Sequence, residues 1–308
     1  MYNLIIHTAV KNAINNILIK GVYEMPKNVI ITADSTCDLN DELKSRYNIS
    51  TIPLHITMND ECREDMVNIT PDEIYDNFYK TGSLPKTSAI SIGEYTSFFR
   101  QFTEQGLEVV HINLGGALSS SAQNAAAAAR ELQGVYTVDS CSLSSGTGHL
   151  VIEAALAVEQ GLSAKEAAVK ISKMRSNVHA SFIIDKLNFL RAGGRCSTLA
   201  MLGANLLNLK PCIEVDNSNG SMTVGKKYRG KLDRVLAQYV DERLSLYDNI
   251  KKDRIFITHS GISREIEQAV FEQIKSKNYF KEIYITKASC TISSHCGPNT
   301  LGILFMTE

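Results

Sequence analysis

The chain has 308 residues, 44% hydrophobic and 21% charged, with 32 Lys plus Arg against 33 Asp plus Glu. This composition supplies a sizeable core and excludes a disordered chain, and the balanced charge excludes a non-specific nucleic-acid binder. No apolar run of about 18 residues exists to span a membrane, and at about 150 residues per domain the length suggests two domains.

Residues 1–24 mix Ile, Leu and Val with Asn and Lys. They lack the continuous apolar stretch and small-residue cleavage site of a secretory signal. They are expected to be an extension, with Met25 as a candidate start or the stretch forming a short amphipathic helix against the body or a partner. We place the extension at 1–26, an N-terminal α/β domain at 27–177 and a C-terminal α/β domain at 178–308.

Residues 28–33 (NVIITA) form an apolar, β-branched run, as in a buried parallel strand. A helix is expected over 39–47 and a strand over 51–57. Thr70-Pro71-Asp72-Glu73 is a capping box with Pro at the first helical position, and Gly82 stops that helix. Ser91 and Glu94 repeat the box, and Gly106 is the stop. Residues 107–113 read as a strand, 119–132 as an Ala-rich helix and 135–138 as a strand. Helices follow at 144–160 and 163–176, the second opened by Ser163 and Glu166. Strand and helix thus alternate with short loops, the pattern of a largely parallel sheet. From Ala180 the order changes. A strand is expected at 181–185, a helix at 199–207, a hairpin of 212–215 with 222–226 over Asn217 to Gly220, and a helix at 232–247. Strands at 255–258, 282–286 and 302–306 complete a mixed C-terminal sheet.

The seven cysteines are scattered and contain no C-x-x-C, which fits a reducing cytoplasm better than a disulfide framework. Cys290 and Cys296 flank His295, but structural zinc sites use tighter ligand pairs, so no metal is expected. No phosphate-binding G-x-x-x-x-G-K-[ST] loop and no G-x-S-x-G elbow occurs.

Three polar segments are expected as loops between a strand and a helix: 87–91, 115–121 and 293–298. Ligands of open α/β sheets bind outside the carboxyl ends of the strands, where helix N-terminal amides favour an anion. Hydroxyls add donors there. Gly115-Gly116 permits close backbone approach, and Ser119 stands where a helix begins. A plain Ser cap explains the same residues, and both readings stay open. Asp34, Ser35 and Asp38 form a polar turn after the first strand, either a ligand loop or ordinary turn residues. The basic segments 186–195 and 225–231 suit a phosphate, an acidic partner or simply solvent.

Taken in order, D-S-T-x-D-L (from Asp34), K-T-S (from Lys86), L-S-S-S (from Leu118), L-x-x-L-R-A-G-G-R (ending at Arg195), Lys210-Pro211, Y-R-G-K (from Tyr228) and H-C-G-P-N-T-L-G (from His295) resemble the DegV family. That family includes the fatty-acid-binding subunits of bacterial fatty acid kinase. The resemblance covers about residues 27–307. It implies two α/β domains with one long-chain fatty acid between them. It implies that Thr87 and Ser119, with adjoining Ser88 and Ser120, hold the carboxylate near His295. It further implies that Arg229, with Arg195, lies where a separate ATP-dependent kinase subunit docks and phosphorylates the carboxylate, a step of phospholipid metabolism. The chain would then carry no catalytic residue and no cofactor beyond its lipid. Gly115-Gly116 replaces the family's usual two serines, Ser120 its glycine and Ala89-Ile90 its Gln-Pro, while Thr87 and Ser119 are retained. Two alternatives are a lipid-sensing protein without a kinase, and a hydrolase using Ser119, His295 and Asp139.

Overall fold

The computed structural model describes residues 28–196, 198–199 and 209–308. The N-terminal extension, and the helix expected at 199–207 beyond its first residue, lie outside the described residues.

The chain forms two α/β domains. The first centres on a parallel sheet of β1 (Val29–Asp34), β2 (Ile49–Ile52), β6 (Glu108–Asn113) and β7 (Val135–Asp139), in the order β2-β1-β6-β7. All of β6 beyond its first residue is buried, as a parallel strand covered on both faces requires. Helices α1 (Asp41–Arg46), α2 (Pro71–Thr81), α3 (Ile92–Thr103), α4 (Ser121–Arg130), α5 (Ser144–Glu159) and α6 (Ala164–Met174) accompany it. The capping boxes at Thr70, Ser91 and Ser163 form as their sequences dictate, each hydroxyl taking the amide three residues on.

The strand expected at 51–57 is two strands. Pro53-Leu54 breaks it, and β3 (His55–Met58) leaves the parallel sheet to pair antiparallel with β4 (Glu61–Glu64) and β5 (Lys86–Ser88). Residues 86–88 are therefore strand, correcting the loop expected from Thr87.

The second sheet is mixed, in the order β10-β9-β8-β13-β11-β12. It comprises β8 (Val178–Ile183), β9 (Leu209–Val215), β10 (Met222–Arg229), β11 (Arg254–Ser260), β12 (Glu282–Lys287) and β13 (Thr300–Met306). Only β11 and β12 run parallel. The expected hairpin forms, with Met222 opposite Val215 and Gly220 at φ 81° closing the turn. Helices α7 (Leu187–Gly193), α8 (Leu232–Ser245), α9 (Arg264–Ser276) and α10 (Cys290–Cys296) belong to this half, and of these α7, α9 and α10 were not expected. Residues 293–296 form the end of α10, and β13 follows, so the third polar segment is a helix end rather than a loop entering a helix.

Helix α5 joins the halves. It is buried on almost every face and packs on β1 and β6 of one sheet and on β8, β11 and β13 of the other. Its Glu153 accepts from Arg254 and from Lys251 (2.8 Å), tying the helix to the second sheet through buried charge. Glu153→Ala leaves the Arg254 guanidinium buried without its carboxylate. Urea unfolding should then show a loss of about 3–5 kcal/mol, while Glu153→Gln loses less.

Candidate functional site

A cleft of about 550 Å³, part of it open to solvent, lies between the domains. Leu54, Thr87, Ser88, Ala89, Leu114, Leu118, Ser119 and Leu143 come from the first half. Leu190, Arg195, Met222, Thr291, Ile292, His295 and Cys296 come from the second. A second cavity, about 320 Å³ with its open space included, shares Leu143, Ile292 and Cys296 with it and extends to Phe182, Ala288, Gly302 and Leu304. Polar residues also border this inner cavity, but their groups are engaged elsewhere. Thr300 donates to the Cys296 carbonyl (3.0 Å), Ser260 to the Gly297 carbonyl and Ser144 to Asp38 (2.5 Å). The inner cavity therefore presents a largely apolar surface.

The polar end gathers residues far apart in sequence. Edge strand β5 places Thr87 beside α10, and Thr87 Oγ1 lies 2.8 Å from His295 Nε2. Burial, and then the Arg195 charge, hold His295 down at about 4, so the ring is neutral at pH 7. A neutral ring protonated on Nε2 donates to Thr87 and frees the Thr87 hydroxyl hydrogen for an acceptor in the cleft. The other tautomer turns that hydrogen onto the ring. An anion in the cleft selects the first arrangement. His295 Nδ1 has no partner among the described residues, because Gly193 packs against it; a Cβ on Gly193 would stand 2.2 Å away.

Ser119 is held by the turn before α4. Its Oγ accepts from the Ser121 amide (3.2 Å) and lies 3.0 Å from the Ser121 hydroxyl. A buried network anchors the start of this loop. Asp34 accepts from the Leu114 amide (2.8 Å) and the Tyr95 hydroxyl (2.5 Å), and His111 lies 3.2 Å from the same carboxylate. The glycines that replace serines are explained by proximity. A Cβ on Gly115 would come within 2.9 Å of the Ser142 carbonyl, and one on Gly116 within 2.6 Å of Asp139.

The structure thus brings Thr87, Ser88, Ser119, His295 and Arg195 to one cleft. Ser120 is exposed at the N-cap of α4, forms no side-chain cap and does not line the cleft. Arg229 is exposed at the far end of β10 from Met222, about 23 Å along the strand at ~3.3 Å per residue. Arg195 instead borders the cleft, with Nε 3.5 Å from the Leu118 carbonyl. The hydrolase arrangement is not assembled: Ser119 bonds Ser121, His295 bonds Thr87, and Asp139 accepts from the Gly116 and Cys141 amides. Sequence reasoning missed the apolar wall and Gly193. The L-R-A-G-G-R segment carried the signal for Gly193, since a paired glycine beside a helix end marks close approach.

A family model for DegV, described as uncharacterised proteins, matches residues 28–308. The chain belongs to the DegV family. A DegV domain-containing protein of Staphylococcus aureus is 28% identical over 291 residues, spanning 92% of this chain and all (100%) of that one. Among solved structures, a DegV family protein from Thermus thermophilus described for its fatty acid binding superposes with a TM-score of 0.83. It is 26% identical, and the match covers 91% of this chain and 100% of that chain. A DegV lipid-binding protein from Thermotoga maritima gives a TM-score of 0.78 at 25% identity, covering 91% of this chain and 98% of that chain.

Two predictions concern the DegV polar end. In a proton titration followed by NMR, His295 should change charge near pH 4, and Arg195→Ala should move that transition upward by removing a nearby cation. A neutral buried His favours the folded state above its unfolded value of 6.5, and this contribution is lost as pH falls from there through about 4. Gly193→Ala should displace the ring and break the Thr87 bond, visible as a shift of the His295 ring signals in the folded protein.

Proposed function

We propose that this DegV protein binds one long-chain fatty acid, with its carboxylate at Thr87 and Ser119 beside His295 and its tail along the apolar wall. Ser88 flanks this head-group site, and Ser120 contributes through its position at the start of α4. The observation that carries the reading is the cleft itself. It is polar at one end, with free-turning hydroxyls, a neutral histidine and Arg195, and apolar beyond Leu143 and Ile292. The relatives described as fatty-acid or lipid binding support it. Each buried methylene is worth about 0.8 kcal/mol, so a dozen give about 10 kcal/mol gross before the costs of association. A carboxylate taken out of water needs donors, and these hydroxyls supply them.

The chain acts as a carrier rather than an enzyme and needs no cofactor beyond its lipid. It presents the carboxylate to a separate ATP-dependent kinase subunit, which makes the acyl-phosphate. Arg195, at the edge of the cleft, suits the transferred phosphoryl group, and exposed Arg229 suits the docking face. No phosphate-binding loop motif is present in the sequence, which supports a partner as the source of ATP chemistry. The working unit is two domains, 27–177 and 178–308, behind an extension at 1–26. The seven unpaired cysteines favour a reducing cytoplasm, and no helix among the described residues is long and apolar enough to cross a membrane.

Native mass spectrometry of the purified protein should show one adduct of fatty acid mass. Protein that neither carries nor takes up a fatty acid overturns the reading. Thr87→Ala and Ser119→Ala should each weaken palmitate binding by about 1–3 kcal/mol, because a buried acceptor loses a donor. Arg229→Ala should retain palmitate and lose phosphorylation by the kinase subunit.

A further inference from the structure

The D-S-T-x-D-L segment takes no part in lining the cleft, yet its Asp38 and, from the turn after β4, Asp65 are both buried at the seam between the domains. Asp38 is 5% exposed and Asp65 1%. Both face the first turn of α10, the helix that carries His295. Asp65 Oδ1 accepts from the Cys290 amide (2.8 Å) and the Thr291 amide (3.3 Å). Asp38 Oδ1 accepts from the Ser289 amide (2.9 Å), and its Oδ2 from the Ser144 hydroxyl (2.5 Å). Ser289 Oγ accepts from the Ile292 amide (3.4 Å), and the Ser289 carbonyl from the Ser293 amide (2.8 Å). The free amides at the start of this seven-residue helix are thus taken, two of them by a carboxylate from the other domain.

The same carboxylate reaches the opposite wall of the cleft. Ser35 donates to Asp65 Oδ2 (2.8 Å) while accepting from the Leu54 amide (3.2 Å), and the Asp65 amide donates to the Leu54 carbonyl (2.9 Å). Leu54 lines the cleft on one side, and Thr291, Ile292 and His295 line it on the other. Asp65 is therefore a short bridge between two walls that belong to different domains. A carboxylate at a helix N-terminus is favoured by the helix dipole and by charge-assisted hydrogen bonds, and these offset the cost of burying it. That cost is real: burial pushes Asp38 up to about 7, and it raises Asp65 as well.

We propose that Asp65 and Asp38 are positioning residues for the head-group site: they fix α10 across the domain seam and so set where His295 and Ile292 stand in the cleft. The placement of His295 stands on the geometry alone, and its consequence for a ligand rests on the fatty acid reading above.

The test compares wild type with Asp65→Asn and Asp38→Asn; Asp38→Asn should shift the same His295 ring signals, and an unmoved ring in a folded Asp38→Asn protein removes Asp38 from the proposal. The His295 ring is followed by proton–nitrogen NMR in ligand-free protein, assigned with His295→Gln, and palmitate affinity is measured alongside. Asp65→Asn should shift the His295 ring signals, move its titration upward from about 4 as the ring gains water, and weaken palmitate by about tenfold. Ile171→Ala, in the buried face of α6, provides a variant with a lowered Tm but an unchanged His295 signal and affinity. If Asp65→Asn lowers the Tm while leaving the His295 signal and affinity as in wild type, the role is structural only and the proposal is overturned. If Asp65→Asn does not fold, Ser35→Ala removes only the hydroxyl behind Asp65. It should shift the same ring in the same direction, and an unmoved ring again overturns the proposal. Wild type that takes up no palmitate, with the ring still shifting in Asp65→Asn, upholds the placement and overturns the fatty acid reading.

Discussion

The architecture depends on burying one helix between two sheets. Helix α5 has a parallel sheet on one side and a mixed sheet on the other, and its residues share one apolar cluster with strands of both. Small residues make this possible. A Cβ on Gly148 would stand 2.7 Å from the Cys37 carbonyl, and one on Gly146 2.3 Å from the Ser142 hydroxyl. Ala154, Ala155 and Ala157 keep the rest of the helix thin. With the sheets held at that separation, Leu114 after β6 and Leu143 at the start of α5 line one side of a gap, and Ile292 of α10 lines the other. The cleft is what remains of that gap after Leu114, Leu143 and Ile292 have filled their share. An interdomain cavity in this fold is thus a consequence of how the two sheets are spaced.

The polar end of the cleft uses weak, neutral groups at its centre and keeps the cation at its edge. Thr87, Ser119 and a neutral His295 can stand close together in a part-buried site without a large desolvation cost. A lysine in their place would need a permanent counter-charge when the cleft is unliganded. Arg195 keeps its charge in contact with solvent and still depresses the His295 ring. This arrangement leaves hydroxyl hydrogens that can reorient when an acceptor enters. It also explains why Gly193 must be glycine: the ring occupies the space of its side chain.

The sequence carried the parts of this structure that are local. The capping boxes at Thr70, Ser91 and Ser163, the β-branched run at 28–33 and the Gly220 turn depend on residues within a few positions of one another, and all formed as expected. The parts set by distant partners were not legible. Residues 293–298 read as a loop from their Ser, Gly and Pro content, but helix α10 runs to Cys296, its first amides taken by Asp65, 225 residues before Cys290 in the chain. Residues 51–57 read as one strand, yet the chain turns at Pro53 so that β3 can pair with β5 and deliver Thr87. The charged helix at 264–276 was missed because its apolar face rests on few residues, of which only Val270 and Ile274 are buried. Of the candidate site, the hydroxyls and His295 were legible through the family resemblance, whereas the apolar wall has no local signature at all.

The turn from Asp34 to Asp38, read as either a ligand loop or ordinary turn residues, holds no ligand position in the cleft. Its two aspartates and Ser35 are committed, Asp34 to Leu114 and Tyr95, Ser35 to Asp65 and Leu54, Asp38 to Ser144 and Ser289, while the buried Thr36 hydroxyl has no hydrogen-bond partner among the described residues. A carboxyl whose folded value is raised binds its proton more tightly folded than unfolded. The cost of burying Asp38 therefore sets in as pH rises from 3.8 through about 7, and it is borne in full above that. A surface turn would avoid this cost. The segment accepts it because the amides it satisfies lie on α10 and on the loop before α4, the two elements that hold His295 and Ser119. The first strand's turn and the head-group site are thus two layers of one construction: a buried layer of fixed acceptors behind an accessible layer of hydroxyls that remain free to turn.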